Sequence, residues 1–376
     1  MKLNDKIMNN KWFIGCTLLG LLMAGVIACS SAEKRSEDIM EGQEGREDQE
    51  QVETIVADVV VAQDGSGDYI TLQAAINAAP DNSKKRFVIL VKNGLYDREK
   101  LIIPKSKTYL TIKGESRDKT ILSYHMYDCK NEASGNKCPA ESWELWKDNK
   151  DLVYTSATLT ILADNFRMEN LTVENTAGPV GQALAITTQG DKNVFVNCNF
   201  LGYQDTILLR ENGDRQYFED CLIVGRTDFI YGSAMGYFQH CEIRSWGGGW
   251  ITAPATYKEQ PYGFVFNECR FTYADNSPRK GDDGNPIAIG RPWHNYPKVA
   301  ILNSDMCEQM HPEGWPTIWN MEYAATSPDL HLYEYNNRGK GADMSKRAKW
   351  AGIKKLTAEE AKAYTVEAVL GDINKW

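Results

Sequence analysis

An all-β fold, a single-stranded right-handed parallel β-helix (a solenoid) with short helices at its ends, is what the sequence predicts. Three observations carry that expectation: a loose internal repeat, its richness in Phe, Val, Ile and Tyr, and 30 glycines with 18 tyrosines. Met168, Phe195, Phe218, Phe238 and Phe266 each open a short segment of the same pattern, at separations of 27, 23, 20 and 28 residues. Periods of this size mark solenoids, in which each turn buries its apolar face only against its neighbours. Helical repeats would need longer segments and fewer β-branched and aromatic residues. A β-sandwich is the competing arrangement.

Within each unit the third residue is often Asn or Asp (Asn170, Asn197, Asp220), which tolerate a left-handed bend between two strands. The fourth and sixth residues share parity and are mostly apolar, so both can point inward from one strand. Uneven spacing assigns the length variation to loops. Before the repeat, Leu72, Ala75, Ile76 and Ala79 line one face of a helix that stops at Pro80. Such a helix can cap the open end of a solenoid, which otherwise exposes unpaired strand edges. Near the other end, Thr357 and Glu360 form a capping-box pattern that starts a second helix. A loop-like insertion holding Trp143 and Trp146 runs from about residue 124 to 150.

The chain is expected to divide at residues 1–28, 29–56 and 57–376. Lys2, Lys6 and Lys11 precede an apolar run from residue 12 to 28, the pattern of an export signal and too short for a comfortable membrane span. Val26, Ile27, Ala28 and Cys29 resemble a bacterial lipobox, so Cys29 is expected to be lipidated and to anchor an exported protein at the outer membrane or cell surface; periplasm or secretion is the alternative. Residues 30–55 carry a net charge of −6 and no aromatic residue. That segment cannot bury enough surface to offset the entropy of ordering, and reads as a solvated tether.

The whole chain has a formal charge of −9, from 51 acidic and 42 basic residues, which disfavours a nucleic-acid partner. No HExxH, paired CxxC, GxxxxGK[ST], GxGxxG or GxSxG occurs, which disfavours zincins, P-loop enzymes, Rossmann dehydrogenases and ordinary serine hydrolases. Five histidines are few for a zinc enzyme. Of nine cysteines, Cys198, Cys221, Cys241 and Cys269 share the fourth repeat position and should stack in adjacent turns; buried free thiols are the plain reading of Cys198 and Cys269. Cys129 and Cys138 lie in the insertion and can staple it, since export permits disulfides.

Three segments hold an acid or a base among glycine and aromatic residues: 202–206 (GYQDT), 225–232 (GRTDFIYG) and 289–293 (IGRPW). Asp205 and Asp228 each lie seven residues after a repeat cysteine, so a regular solenoid puts them on one face of successive turns, about 4.8 Å apart in strand spacing. Carboxylates that close favour unequal ionisation, one acid and one base or nucleophile. Aspartates that merely cap turns would show the same spacing.

These segments resemble the signature motifs of the pectin methylesterases (pectinesterases, carbohydrate esterase family 8). Gly181, Gln182 and Ala183 resemble the family's glutamine segment, and Gly314, Trp315, Tyr333, Asn336, Gly339, Ala342, Arg347, Trp350 and Trp376 follow its order; the likeness covers residues 58–376. The resemblance implies a right-handed parallel β-helix that hydrolyses methyl esters of galacturonate in pectin, giving pectate and methanol. Asp228 would then be the nucleophile and Asp205 the acid and later the base. Gln204 and Gln182 would bind the oxyanion, and Arg291 would orient Asp228. Trp293 and Tyr231, with Arg291, would contact the substrate, methyl-esterified homogalacturonan. The scheme needs neither metal nor cofactor, and a monomer suffices. Related readings are a family member acting on another ester or thioester, and a β-helix pectate lyase.

The chain departs from the family at Tyr231, where phenylalanine is common, and at Arg226 and Thr227, which replace a small or apolar pair. Its early glycine–tyrosine–glutamate motif (Gly94, Tyr96, Glu99) is one residue longer. A Cys221–Cys241 disulfide is also expected. The two share a repeat position on adjacent strands, at a spacing of about 4.8 Å that a bridge accepts, and the family often has a cysteine pair flanking its nucleophile. Gly247, Gly248, Gly249 and Trp250 read as a turn that needs permissive backbone.

Overall fold

The computed structural model describes residues 56–128, 156–294, 296–317 and 324–376. The expected signal segment with Cys29, the tether up to residue 55, Cys129, Cys138 and most of the insertion lie outside the described residues. Residues Ile55–Trp376 belong to one compact unit.

Up to three short parallel strands make each turn of the coil, as in Asn193–Val196, Asn199–Leu201 and Ile207–Leu209. One face is an eleven-stranded sheet running from Val59–Val61 to Ile353–Lys355. The other two faces join into a thirteen-stranded sheet, because the strands Leu222–Gly232 and Glu242–Pro254 are long enough to bend through the corner between them. Sheet neighbours come from successive turns and pair in parallel. This is the right-handed parallel β-helix that the repeat predicts.

The repeat positions do what their residue types allow. Asn170, Asn197, Asp220, His240 and Glu268 all hold a left-handed backbone, with φ between 50° and 59°. Asn197 also donates to the Asn170 side-chain oxygen at 2.8 Å, so one bend is tied to the next. Phe195, Phe218, Phe238 and Phe266 are paired directly across the long sheet and stack at centroid separations of 4.5, 4.8 and 4.7 Å. The fourth and sixth residues are buried, from Leu171 and Val173 to Cys269 and Phe271.

The Cys221–Cys241 disulfide does not form; Cys198, Cys221, Cys241 and Cys269 are all buried free thiols. In-register residues on adjacent parallel strands send their Cα–Cβ bonds the same way. Their β-carbons therefore stay about one strand spacing, ~4.8 Å, apart, beyond the ~3.8 Å that a bridge prefers. Each sulfur instead faces backbone carbonyls: Cys221 donates to Glu219 and Phe195, Cys241 to Gln239 and Phe218.

The helix expected at the start spans Leu72–Ala78, capped by the Thr71 hydroxyl, with Leu72, Ala75 and Ile76 in the main core. Lys107 closes its other end by donating to the carbonyls of Asn77 and Ala79. The capping box at Thr357 and Glu360 starts the helix Ala358–Ala361. The next helix, Val366–Leu370, lies against the outside of the long sheet, where Val369 and Leu370 pack with Val194, Tyr217 and Tyr237. The C-terminal helices thus cover a face of the coil.

Candidate active site

Asp205 sits in the corner between the strands Asn199–Leu201 and Ile207–Leu209, with φ at 62°. Asp228 turns the same corner one rung later, inside Leu222–Gly232, with φ at 49°. The register makes them equivalent: Ile207 pairs with Ile230, each two residues past its aspartate, and the Asp205 amide donates to Thr227. Aspartate is among the few side chains that enter the left-handed region at modest cost. Gly225 permits the tight packing beneath this corner, because a β-carbon there would lie 2.2 Å from that of Phe229.

The site spans five successive rungs. The Ala183 amide donates to the Gln204 carbonyl, which places Gln182 one rung before Gln204 and Asp205. Both glutamines are partly exposed. After Asp228 comes the rung of Trp250, paired with Thr227 on one side and Ala288 on the other. Arg291 leaves the rung beyond. Its guanidinium carbon passes 4.5 Å from the Trp250 ring centroid and its nitrogens grip Asp228, Nε to Oδ1 at 2.8 Å and an η-nitrogen to Oδ2 at 2.5 Å. A planar cation held on an aromatic face in this way has little freedom to turn.

Both carboxyls are buried, and the two differ electrostatically. Burial pushes Asp205 well above the ordinary carboxylate range, and the Asp228 charge pushes it further; Tyr231 and Arg291 act in the opposite sense. Burial also raises Asp228, but its hydrogen bonds to Arg291 oppose that rise. Asp205 is therefore the better proton holder and Asp228 the better carboxylate. Such a pair can attack an electrophilic carbon with one member and protonate a leaving group with the other.

Tyr231 and Trp293 stand beside the pair with ring centroids 5.9 Å apart. They line a cleft of about 630 Å³ that also touches Leu208, Arg210, Lys258 and His294. A second cleft, of about 470 Å³, is lined by Gly202 and Tyr203, the residues immediately before Gln204. Along the segment 202–210 the aspartate thus falls between two hollows. Tyr231 is only 4% exposed, so its ring is wedged among Leu208, Ala253 and Trp293 and presents little flat face to a ligand.

Sequence reasoning missed two members of this neighbourhood. Trp250 reads as part of a glycine turn, yet it is the shelf for Arg291; the glycines Gly247 and Gly249 take left-handed φ within the long strand. Extra residues between Ser245 and Trp250 break the register with Gly225 and Thr227 and hide the correspondence. Asp128, buried at the mouth of the insertion, faces Asp205 with no local motif to mark it. Arg226, a departure from the family pattern, pairs at 2.9 Å with buried Asp282, which also accepts from Tyr203 and Ser277. That cluster fastens the loop at 277–285 to the two aspartate segments.

A parallel β-helix that sets an arginine-held aspartate beside a second buried carboxyl is the class of protein that the fold and the site define. The chain is a member of the pectinesterase family, whose model matches residues 58–372. It is 35% identical over 322 residues to the probable pectinesterase/pectinesterase inhibitor 13 of Arabidopsis thaliana, a match covering 84% of this chain and 48% of that one. The chain spans about half the length of the curated relatives it matches. Among solved structures it is similar to pectin methylesterase from carrot, with a TM-score of 0.74 and 31% identity over 86% of this chain and 95% of that one. It is also similar to a pectin methylesterase in complex with a hexasaccharide, with a TM-score of 0.65 and 26% identity over 84% and 98% of the two chains.

Proposed function

We propose that this protein is a carboxylic ester hydrolase that removes methyl groups from galacturonate in pectin, releasing methanol. The observation that carries the reading is the asymmetry of the aspartate pair: Arg291 grips Asp228 through both oxygens and leaves Asp205 to hold a proton. Membership of the pectinesterase family and the hexasaccharide bound by a structural neighbour support the substrate.

Asp228 attacks the C6 carbonyl carbon. The negative charge that develops on the carbonyl oxygen is met by the side-chain amides of Gln204 and Gln182, neutral donors on neighbouring rungs. As the C6–OCH3 bond breaks, Asp205 gives its proton to the departing methoxy oxygen. Asp205, now a carboxylate, takes a proton from water, whose oxygen attacks C6 and frees Asp228. The cycle ends with Asp205 protonated and Asp228 ionised, as it began. Trp293 offers an aromatic surface in the cleft for a sugar ring.

The test is methanol release from highly methylated pectin by the soluble domain, compared with hydrolysis of small acyl esters. Methanol in step with new carboxylates supports the reading. Preference for small esters or thioesters, or unsaturated products absorbing in the ultraviolet, would reject it.

The N-terminal residue pattern supports an exported protein anchored through lipid on Cys29, with an acidic tether at 29–56 and a monomeric catalytic domain. A polymer that cannot cross a membrane suits such an address. Cys29→Ser should convert a detergent-extracted protein into a soluble one; unchanged membrane fractionation would dismiss the anchor.

A further inference from the structure

We infer that the Tyr231 hydroxyl and the Asp128 carboxyl are positioning groups for Asp205, biasing its proton in opposite directions during turnover. The inference rests on the acid–base role of Asp205 proposed above.

Tyr231 pairs with Leu208 across adjacent rungs, three residues beyond Asp228 and Asp205 respectively, so its side chain belongs to the same corner of the coil. The ring is buried against Leu208, Ala253 and Trp293. Its hydroxyl abuts the Asp205 carboxyl, yet no aligned hydrogen bond satisfies it. A buried hydroxyl without a partner is costly and calls for an explanation. The proposed cycle supplies one. Once Asp205 has given its proton to methanol it is a carboxylate, an acceptor beside the hydroxyl. A donor to the ionised form favours that form. Tyr231 therefore helps Asp205 release its proton in the first step and keeps it aimed at water in the second.

Asp128 acts in the opposite sense. It follows the strand Thr120–Tyr124, and its amide donates to the Gln182 carbonyl at 2.7 Å, which fixes it beside the rung of the glutamine. Only 3% exposed and tied to the glutamine rung, it is near enough for its charge to act on both Asp205 and Tyr231, raising each. Like charge opposes proton release by Asp205. The groups facing Asp205 are thus Asp228 and Tyr231 from one strand, Arg291 from beyond the Trp250 rung, and Asp128 from the start of the insertion.

The experiment is the pH dependence of kcat and kcat/KM on methylated pectin for the full chain, Tyr231→Phe and Asp128→Asn, read by methanol release. Loss of the donor should move the alkaline limb up by about half to one pH unit and lower kcat about 3–10-fold at neutral pH, with KM unchanged. Loss of the like charge should move the limb down. An unmoved limb in a folded Tyr231→Phe protein, or a rise in KM alone, overturns the inference in favour of a ring that only packs or stacks. If Asp128→Asn does not fold, the 13C titration of the Asp205 carboxyl in wild type and Tyr231→Phe decides alone: an upward shift supports the inference and no shift overturns it. Asp205→Asn separates the two levels, since full activity there would remove the acid–base role itself.

Discussion

Arg347 with Glu334 and Arg291 with Asp228 are both bidentate pairs in the second half of the coil, but their surroundings differ. The side chains of Arg347 and Glu334 are 3% and 4% exposed, and Arg347 also donates to the carbonyls of Pro312 and Gly341. Arg291 is 16% exposed, lies on Trp250, and holds a carboxylate that is 7% exposed. The first pair has spent its hydrogen-bonding capacity on the fold and clasps the strand His331–Tyr335 to the loops around it. The second keeps a carboxylate oriented while leaving room for a reacting carbon. In the sequence both look like family signatures; only the number of partners around each arginine tells a clasp from the holder of the proposed nucleophile.

The largest effect expected is at the reactive pair. Asp228→Ala should lower kcat by at least about 10^4-fold without unfolding the coil, because the acyl-enzyme route is lost. Normal activity in a correctly folded variant would remove Asp228 from the nucleophile role. Arg291→Lys should cost about 10²-fold in kcat, since an ammonium cannot reproduce the planar two-point grip or the contact with Trp250. Retention of most of the wild-type kcat there would mean that orientation by Arg291 is unimportant.

The clasp should respond the other way round. Glu334→Ala strands a buried guanidinium and should destabilise the protein by about 3–5 kcal/mol, with kcat per folded molecule unchanged. Denaturant melts alongside active-site titration separate the two quantities. A large fall in kcat with unchanged stability would erase the distinction between the pairs.

How far the sequence carries can be seen in the same residues. Asp205 and Asp228 were legible as neighbours because motif and repeat offset agreed, and the solenoid converts equal offsets into adjacent rungs; Arg291 was legible through its motif alone. Trp250 was not, because extra residues on its strand shift the count and only folded register restores it. Asp128 lies outside the repeat and is placed by its amide bond to the Gln182 carbonyl, which no local motif reports. The burial of Tyr231 depends on Leu208 and Ala253 from neighbouring rungs, which no local pattern reports. The C-terminal capping box announced a helix, whereas its docking on the outside of the sheet depends on Tyr237 and Tyr364, far apart in sequence.

A smaller effect tests the burial of the acid. An acid whose folded pKa lies above its unfolded value loses stability for the fold as pH rises from the unfolded pKa to the folded one. Burial raises Asp205 in this way. The contribution of Asp205 should therefore fall away on going from pH 4 toward neutral, and Asp205→Asn should be spared that loss. We expect a Tm about 2–4 °C above wild type near pH 7, with the gap closing toward pH 4. An equal gap at both pH values would place the gain in packing instead of proton linkage.

The smallest effect concerns the stacked cysteines, which separate constraint by covalent bonds from constraint by packing. Cys198, Cys221 and Cys241 have their thiols pushed up by burial, so they are poor nucleophiles as well as shielded ones. Each sulfur fills the interior of one rung and faces the carbonyl of the preceding rung's phenylalanine or methionine, as Cys221 faces Phe195. Reductant should therefore leave the Tm of the coil unchanged, and thiol reagents should label these residues only after denaturation. Cys221→Ala should cost about 1 kcal/mol, the loss of one buried group the size of a methylene or larger, in denaturant melts. A drop of several degrees on reduction, confined to protein in which Cys221 and Cys241 are both present, would show that the strands can twist enough to bring the two sulfurs together. The parallel register argues against that movement, because closing the gap would pull apart the phenylalanine stack one strand away, where Phe218 and Phe238 already lie in contact.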